Sequence, residues 1–340
     1  MREQRLRGAM IGAGYFAGFQ AEAWQRIPAV EVVAVADAKL ERAHALAGRF
    51  GIPRVYTTAE ELLAQESLDF VDIVTRPDSH LALTQLAARH QVGVICQKPM
   101  AETWDECLAM VELCRSAQVR LLIHENWRWQ AWYREVKTLI DAGVFGEVFH
   151  LGFCLRNGDG RGGDPYEVQP YFRAMPRLLI YETLVHFLDT FHFLVGEIES
   201  VFCQTRRINP LIVGEDYALI QLGFTDGAHG LIDANRISGA VPPDVAFGVF
   251  TLEGERAALR MTPRGELFIR EYGQTERQHE YKIPAMGYKG DSVFAAQQHY
   301  AACLRDGSQC ETEGEAYLNT VRAMFACYES AATGRIILLR

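Results

Sequence analysis

Three side chains suited to moving a proton stand out in this sequence: Lys98, Glu182 and His186. In the stretch Tyr181-Glu182-Thr183-Leu184-Val185-His186-Phe187-Leu188-Asp189-Thr190-Phe191 the ionisable groups Glu182, His186 and Asp189 fall at i, i+4 and i+7. If the stretch is helical, they form a polar stripe on a helix otherwise rich in Leu, Val and Phe, where an ionisable group is rarely buried without a partner or a task. A histidine near its ordinary pKa can take a hydroxyl proton at neutral pH, which a carboxylate alone does weakly. His186 is therefore the candidate base, with Glu182 to orient the imidazole or bind a substrate hydroxyl, and Asp189 to anchor the helix. The plainer alternative is a core helix whose His and Glu satisfy each other. Lys98 follows the apolar run 92–96, and its ammonium can polarise a hydroxyl or carbonyl. Taken alone, it also fits a solvated lysine at a strand end. Glu182, His186, Asp189 and His192 offer metal donors, but the H-E-x-x-H spacing is missing and no catalytic metal is expected.

The elements that must position these groups follow from the patterning. Up to about residue 124, short β-branched runs alternate with helical patterns, the mark of a parallel sheet. Strands are predicted at 6–11, 31–36, 70–74, 92–96 and 119–123, each nearly continuously apolar, as strands covered on both faces must be. Ligands in such a sheet bind beyond the carboxyl ends of the strands, where Lys98 sits. Trp104, Cys107, Leu108, Val111 and Cys114 predict the buried stripe of one intervening helix. A further helix carries Trp129, Trp132, Tyr133, Val136, Leu139 and Ile140 on one side, with Gly143 to end it. After Gly146 the pattern alternates, as in 217–224 and 230–235 around the turn Thr225-Asp226-Gly227, which predicts an antiparallel sheet. Helical patterns at 293–304 and 317–328 and an apolar run at 336–339 are expected to pack back on the first domain or on the sheet.

After the first strand comes Gly12-Ala13-Gly14-Tyr15-Phe16-Ala17, a G-x-G-x-x-A reading that leads into a helix. The first glycine permits a tight turn, the second lets backbone approach a pyrophosphate, and the small Ala17 lets helix pack on strand. The helix start then offers free N–H groups and partial positive charge to phosphates. Asp37 ends the second strand 20 residues beyond Ala17, where an acid can accept from both ribose hydroxyls and repel a 2′-phosphate. NAD is thus expected over NADP, although Lys39 and Arg42 stand close by. The expected architecture is α/β: an NAD-binding Rossmann domain over 1–124, then an α+β domain over 125–340 with a large, mostly antiparallel open sheet.

Composition narrows the partners. The 340 residues suit two domains, and a net charge of −9 without a Lys/Arg run disfavours nucleic acid and anionic membrane. The N-terminus lacks a signal-peptide core and no apolar stretch reaches membrane-spanning length, so a cytoplasmic location is expected. Eight cysteines without any C-x-x-C read as buried reduced thiols.

Two further segments carry a resemblance. Thr75-Arg76-Pro77-Asp78-Ser79-His80 and Gln97-Lys98-Pro99 follow predicted strands, and together with the glycine turn they resemble the Gfo/Idh/MocA (glucose-fructose oxidoreductase/inositol dehydrogenase) family, whose patterns there are T-x-P-x-x-H and E-K-P. The likeness spans essentially the whole chain. Ile95 to Pro99, His124 to Gln130, Asn209-Pro210 before Gly214-Glu215-Asp216, and Tyr328-Glu329-Ser330-Ala331-Ala332 look like its D-apiose dehydrogenase branch.

The resemblance implies an NAD-dependent oxidation of a sugar or polyol, D-apiose or a related aldose to its lactone. It makes Lys98 the catalytic lysine, and His186 and Glu182 the counterparts of the family's D-x-x-x-H, with glutamate one methylene longer than aspartate. Gly12, Gly14, Tyr15, Phe16, Ala17, Asp37, Thr75, Pro77, His80, Gln97 and Lys98 become cofactor-binding candidates. Gln97 replaces the usual glutamate, so a hydrogen bond to the cofactor carries over and a negative charge does not. Asn126, Arg128, Arg156, Asn157 and Tyr181 are the substrate candidates, since amide, guanidinium and aromatic groups suit a polyhydroxylated ring. An NAD-dependent glycoside hydrolase of the same fold and a non-catalytic NAD-sensing protein are the alternatives. One unpaired sheet face suggests a homodimer or homotetramer.

Overall fold

A computed structural model of the chain describes residues 5–339. It divides into two compact units, one formed by residues up to Trp129 with Met286–Leu318, the other by Gln130–Ala285 with residues from Asn319 onward. Among the described residues no helix is long and apolar enough to cross a membrane.

In the first unit the apolar runs pair as a six-stranded parallel sheet of order β3-β2-β1-β4-β5-β6. The strands are β1 (Leu6–Ile11), β2 (Val30–Ala36), β3 (Arg54–Tyr56), β4 (Phe70–Ile73), β5 (Gly93–Gln97) and β6 (Leu121–His124). Five of them lie where the sequence predicts strands. The sixth, β3, has three residues of which Arg54 is exposed, too short and too polar to show a pattern. The chain order reverses between β1 and β4, so the turns after these strands meet: a Cβ on Gly12 would lie 2.5 Å from the Val74 carbonyl oxygen. Helices α1 (Ala17–Gln25), α2 (Leu40–Phe50), α3 (Ala59–Gln65), α4 (His80–Arg89) and α5 (Trp104–Ala117) connect the strands. On α5, begun by a Thr103/Glu106 capping box, the buried residues are Cys107, Met110 and Cys114, while Leu108 is exposed. The buried stripe therefore keeps Cys107 and Cys114 but is turned about 60° from the expected one, toward Met110 and away from Leu108.

The C-terminal segment completes this unit. Arg26, at the C-terminal cap of α1, makes two 2.6 Å bonds to Asp291, at the start of the helix Ser292–Asp306, and lies over the Phe294 ring. Residues 310–313 then run along β6, the sheet edge: Ile123 N–H donates to the Thr312 carbonyl at 2.8 Å, and Arg120 binds both oxygens of Glu313. An edge strand's unpaired backbone is thereby covered.

The second unit has nine strands in the order β14-β13-β12-β11-β7-β10-β9-β8-β15. They are β7 (Val148–Asn157), β8 (Ile198–Arg206), β9 (Tyr217–Phe224), β10 (His229–Ala240), β11 (Gly248–Gly254), β12 (Ala257–Met261), β13 (Leu267–Glu271), β14 (Arg277–His279) and β15 (Ile337–Leu338). All neighbours are antiparallel except β7 and β10, which run parallel. The turn between β9 and β10 needs Gly227, whose φ is +91°.

Helix α6 (Ala131–Asp141) buries Trp132, Tyr133 and Val136. It begins after a short 3-10 turn at Trp127–Trp129, so Trp129 precedes the helix proper. Helix α7 (Val185–Val195) covers one sheet face: Phe187 stacks on Phe153 at 3.9 Å and Phe191 meets Phe250. Strict alternation along β7 then puts Leu151, Phe153, Leu155 and Asn157 on that face, and His150, Cys154 and Arg156 on the other.

Candidate active site

The glycine turn is shaped by what surrounds it. Gly12 has φ +103°, which leaves no room for a side chain against Val74, whereas a Cβ on Gly14 would meet nothing within 4 Å. That open approach is where backbone can come close to a phosphate. Asp37 closes the turn from the side: its carboxylate accepts Ala13 N–H at 2.7 Å and Lys39 N–H at 2.8 Å. Helix α1 starts behind Phe16 with no side-chain cap and no acidic residue in its first turn, so the first N–H groups keep their attraction for an anion. Phe16 lies in a cluster with Phe19, Tyr288 and His124, while Tyr15 is 60% exposed. These residues fit the pyrophosphate and ribose of a dinucleotide.

The turns after β4 and β5 are tied together by His80. Its imidazole is fully buried, with Nδ1 3.1 Å from the Met100 carbonyl oxygen and Nε2 3.3 Å from that of Thr75. Burial lowers its pKa, against the pull of these carbonyls. His80 is thus a strut joining the Thr75 and Lys98 turns, with no exposed surface of its own for a ligand. The Ser79 hydroxyl donates to Thr75 Oγ1 at 2.7 Å, next to Pro77. Gln97 is buried, accepts Lys98 N–H at 2.8 Å, and sets its amide nitrogen 3.5 Å from His124 Nδ1. An amide can both accept from the Lys98 backbone and donate to His124, which a glutamate cannot.

Two substrate candidates are held inside the first unit. Asn126 is buried and donates to Ser292 Oγ at 2.7 Å; Arg128 is buried, reaching the Glu311 carbonyl at 3.3 Å and its carboxylate at 3.9 Å. Just before them Glu125 accepts Trp127 N–H at 2.8 Å and the Tyr317 hydroxyl at 3.1 Å. The strand-end run 125–128 is fastened to the C-terminal segment.

In the second unit the stretch carrying Glu182 is a π-helix, Leu179–Leu184, that passes into α7 at Val185. The sequence expectation was a single α-helix; α and π turns share the same apolar pattern, and wide turns of this kind occur often at functional sites. Glu182 Oε2 accepts the Thr183 hydroxyl at 2.7 Å and Arg236 Nη1 at 3.4 Å, with its side chain 20% exposed. Arg236, on the α7-covered side of β10, also donates to Thr183 Oγ1 at 3.0 Å and through Nε to Asp159 at 3.1 Å. Its guanidinium lies over the Tyr166 and Phe172 rings. Burial pulls the Arg236 pKa down, but the bond to Asp159 and the nearby carboxylates raise it overall. His186 is buried on the first turn of α7, and Asp189 accepts the Thr320 hydroxyl at 3.2 Å, which anchors the helix.

The other candidates separate. Tyr181 is buried under the Arg177 guanidinium. Asn157 shares the α7-covered face, and its Oδ1 is buried without a partner among the described residues. Arg156 is not brought to Glu182: alternation places it on the opposite face, where it pairs with Asp233. Arg236 holds Glu182 instead. Nothing in the sequence marks it, because its partners are more than 50 residues away and its direction depends on where β10 loses register after Asn235. Among the described residues one group, His299, Cys303 and Cys310, brings three metal-type donor atoms within 4.8 Å. His299 Nε2 already accepts Glu311 N–H at 3.1 Å, which occupies the lone pair an ion would need.

The chain matches known proteins along its length. Residues 6–125 match the oxidoreductase family model with an NAD-binding Rossmann fold, and residues 133–259 match the Gfo/Idh/MocA C-terminal domain. The chain is 33% identical over 343 residues to a D-apiose dehydrogenase from Rhizobium rhizogenes, covering 99% of this chain and 98% of that one. It is 34% identical over 344 residues to a D-apiose dehydrogenase from Paraburkholderia graminis, covering 99% and 90%. Among solved structures, an oxidoreductase from Agrobacterium radiobacter in complex with NAD+, L-tartaric acid and magnesium has a TM-score of 0.92 at 32% identity, over 98% of both chains.

Proposed function

The chain belongs to the Gfo/Idh/MocA family of NAD-dependent oxidoreductases acting on sugars and polyols, and from that premise we propose that it oxidises D-apiose or a related aldose to its lactone. The observation that carries this reading is the group on the α7-covered face: a buried His186 preceded by a wide helical turn, on which Arg236 and Thr183 hold the partly exposed Glu182. A binding protein has no need of that arrangement together with Lys98 at a strand end.

In the proposed mechanism Gly12, Gly14 and the start of α1 hold the pyrophosphate of NAD, and Asp37 holds its adenosine ribose. NAD, when bound, supplies the two-electron acceptor. His186 takes the proton of the substrate hydroxyl, and Lys98 stabilises the developing negative charge on that oxygen. Glu182, already in an ion pair with Arg236, acts as a hydrogen-bond acceptor for a sugar hydroxyl and not as the proton donor. The unpartnered Oδ1 of Asn157 is a second acceptor on the same face.

NADH formation with purified protein, NAD and a panel of D-apiose, other pentoses and cyclitols tests the reading, with fastest turnover expected on the branched pentose. If no polyol supports turnover while NAD binds, the reading fails; sugar released from glycosides without NADH would point to the hydrolase class. The sheet face bearing Cys154, Arg156 and Leu231 is the surface proposed to pair with a second copy, and light scattering showing monomer alone would refute that.

A further inference from the structure

Two stretches singled out in the sequence, Gly214-Glu215-Asp216 and Tyr328-Glu329-Ser330, have no part in the mechanism above, yet they meet behind it. We propose that Glu215 and Tyr328 are positioning residues that fix the helical register on which Glu182 and His186 stand. The proposal deepens the acid/base reading of that helix and rests on it.

A helix start leaves its first N–H groups without intrahelical partners. Here each of them is taken up by one of these two residues. The buried Glu215 carboxylate accepts Leu178 N–H at 3.1 Å and Ile180 N–H at 2.9 Å, while the Glu215 carbonyl accepts Leu179 N–H at 3.2 Å. The Tyr328 hydroxyl accepts Tyr181 N–H at 3.1 Å and donates to Glu215 Oε1 at 2.7 Å. The first bond of the helix proper, Glu182 N–H to the Leu178 carbonyl at 2.9 Å, follows immediately.

An ordinary cap comes from the residue beside the helix and moves with it. This one comes from the residues leading into β9 and from the helix Gly314–Thr333, so it fixes the first turn relative to the sheet. The Ser330 hydroxyl, two residues on, accepts Cys203 N–H of β8 at 2.9 Å and holds that helix in place. A carboxylate at this end also suits the helix dipole. With every N–H from 178 to 181 committed, the wide turn cannot slip by one residue, and Glu182 keeps its reach to Arg236 and Thr183.

The test uses Tyr328→Phe and Glu215→Gln in the full chain, beside His186→Ala. Tyr328→Phe is expected to lower kcat on the active sugar about tenfold to hundredfold, the scale of a misplacement near 1 Å. Its KM for NAD should stay unchanged, the pH profile of kcat should shift, and amides 178–182 should exchange faster while the rest keep wild-type protection. Glu215→Gln, which turns an amide donor toward N–H donors, should do the same more strongly; if it fails to fold, Tyr328→Phe decides. Wild-type kcat and pH profile in Tyr328→Phe, with only a lower melting temperature, would make the pair merely structural and overturn the proposal. Unchanged exchange at 178–182 would also overturn it. Full turnover in His186→Ala would instead sink the acid/base reading, leaving amide exchange to report on the register.

Discussion

The two units hold their chemistry by different means. In the first, the proposed cofactor site is mostly backbone: the open approach at Gly14, the uncapped start of α1, and an Asp37 that grips the turn through Ala13 and Lys39 N–H groups. In the second, side chain holds side chain: Asp159 holds Arg236, and Arg236 with Thr183 holds Glu182. A site of the first kind is bought by local sequence, because a glycine turn and the next helix are contiguous. A site of the second kind exists only once distant strands are in register, so it is more specific to this chain and more fragile.

The sharpest way to break this contrast is to remove the reacting groups. Lys98→Ala and His186→Ala should each lower kcat by roughly a thousandfold or more while NAD affinity is largely kept, since general acid–base groups contribute about 10²–10⁴-fold. Wild-type rates in either variant would remove that residue from the mechanism. Arg236→Met comes next. It leaves Asp159 and Glu182 facing each other without their cation, and breaking a buried pair costs about 3–5 kcal/mol; the two acids are partly exposed, so the lower end is expected. A denaturant melt should show that loss, with KM for sugar raised and the Kd for NAD unchanged. A fall in NAD affinity equal to the fall in sugar affinity would show that the units do not divide the work in this way.

The same contrast explains what was legible beforehand. Strands β1, β2, β4, β5 and β6, the glycine turn and Asp37 lie in contiguous patterns, and the structure has them where expected. Nothing local marks Arg236, whose direction depends on a register break in β10, and the face taken by the substrate candidate Arg156 is decided by one step of alternation in β7. The π-turn under Glu182 could not be told from an α-turn by apolar spacing. The sequence marks His80 as a cofactor candidate without showing that its imidazole also joins two loops through the Met100 and Thr75 carbonyls.

Buried acids sharpen the comparison further. Glu182 faces a cation, whereas Asp72, wholly buried in β4, has only neutral donors among the described residues: Gln20 Nε2 at 2.9 Å and Trp24 Nε1 at 2.7 Å. Burial pushes its pKa from 3.8 up to about 7, against the pull of these donors. The native state therefore holds this proton at pH values where the unfolded chain has released it. Its contribution to stability is complete below about pH 4, is lost as pH rises to about 7, and changes no further above. At about 1.4 kcal/mol per pKa unit the loss is at most about 4 kcal/mol. Asp72→Asn keeps an acceptor for Trp24 and carries no such term, so its stability relative to wild type should grow between pH 4 and 7 and then level off. A pH-independent difference between the two proteins would show that Asp72 is ionised throughout.

The smallest effect is expected where backbone carries most of the binding. Asp37→Ser removes a carboxylate that accepts two N–H groups of the turn and that, in the proposed NAD site, also accepts the ribose hydroxyls. A hydrogen bond to a charged group is worth about 1.5–3 kcal/mol, so NAD should bind roughly ten- to a hundredfold more weakly. Gly14 and the start of α1 are untouched, so pyrophosphate binding persists and turnover at saturating NAD should stay near wild type. The lost negative charge should also admit NADP, with Lys39 and Arg42 close enough in sequence to meet its 2′-phosphate. Titration with both dinucleotides separates the outcomes. If kcat at saturating NAD falls as far as it does in Lys98→Ala, then Asp37 positions the reacting end of the cofactor, and the first unit depends on its side chains as much as the second.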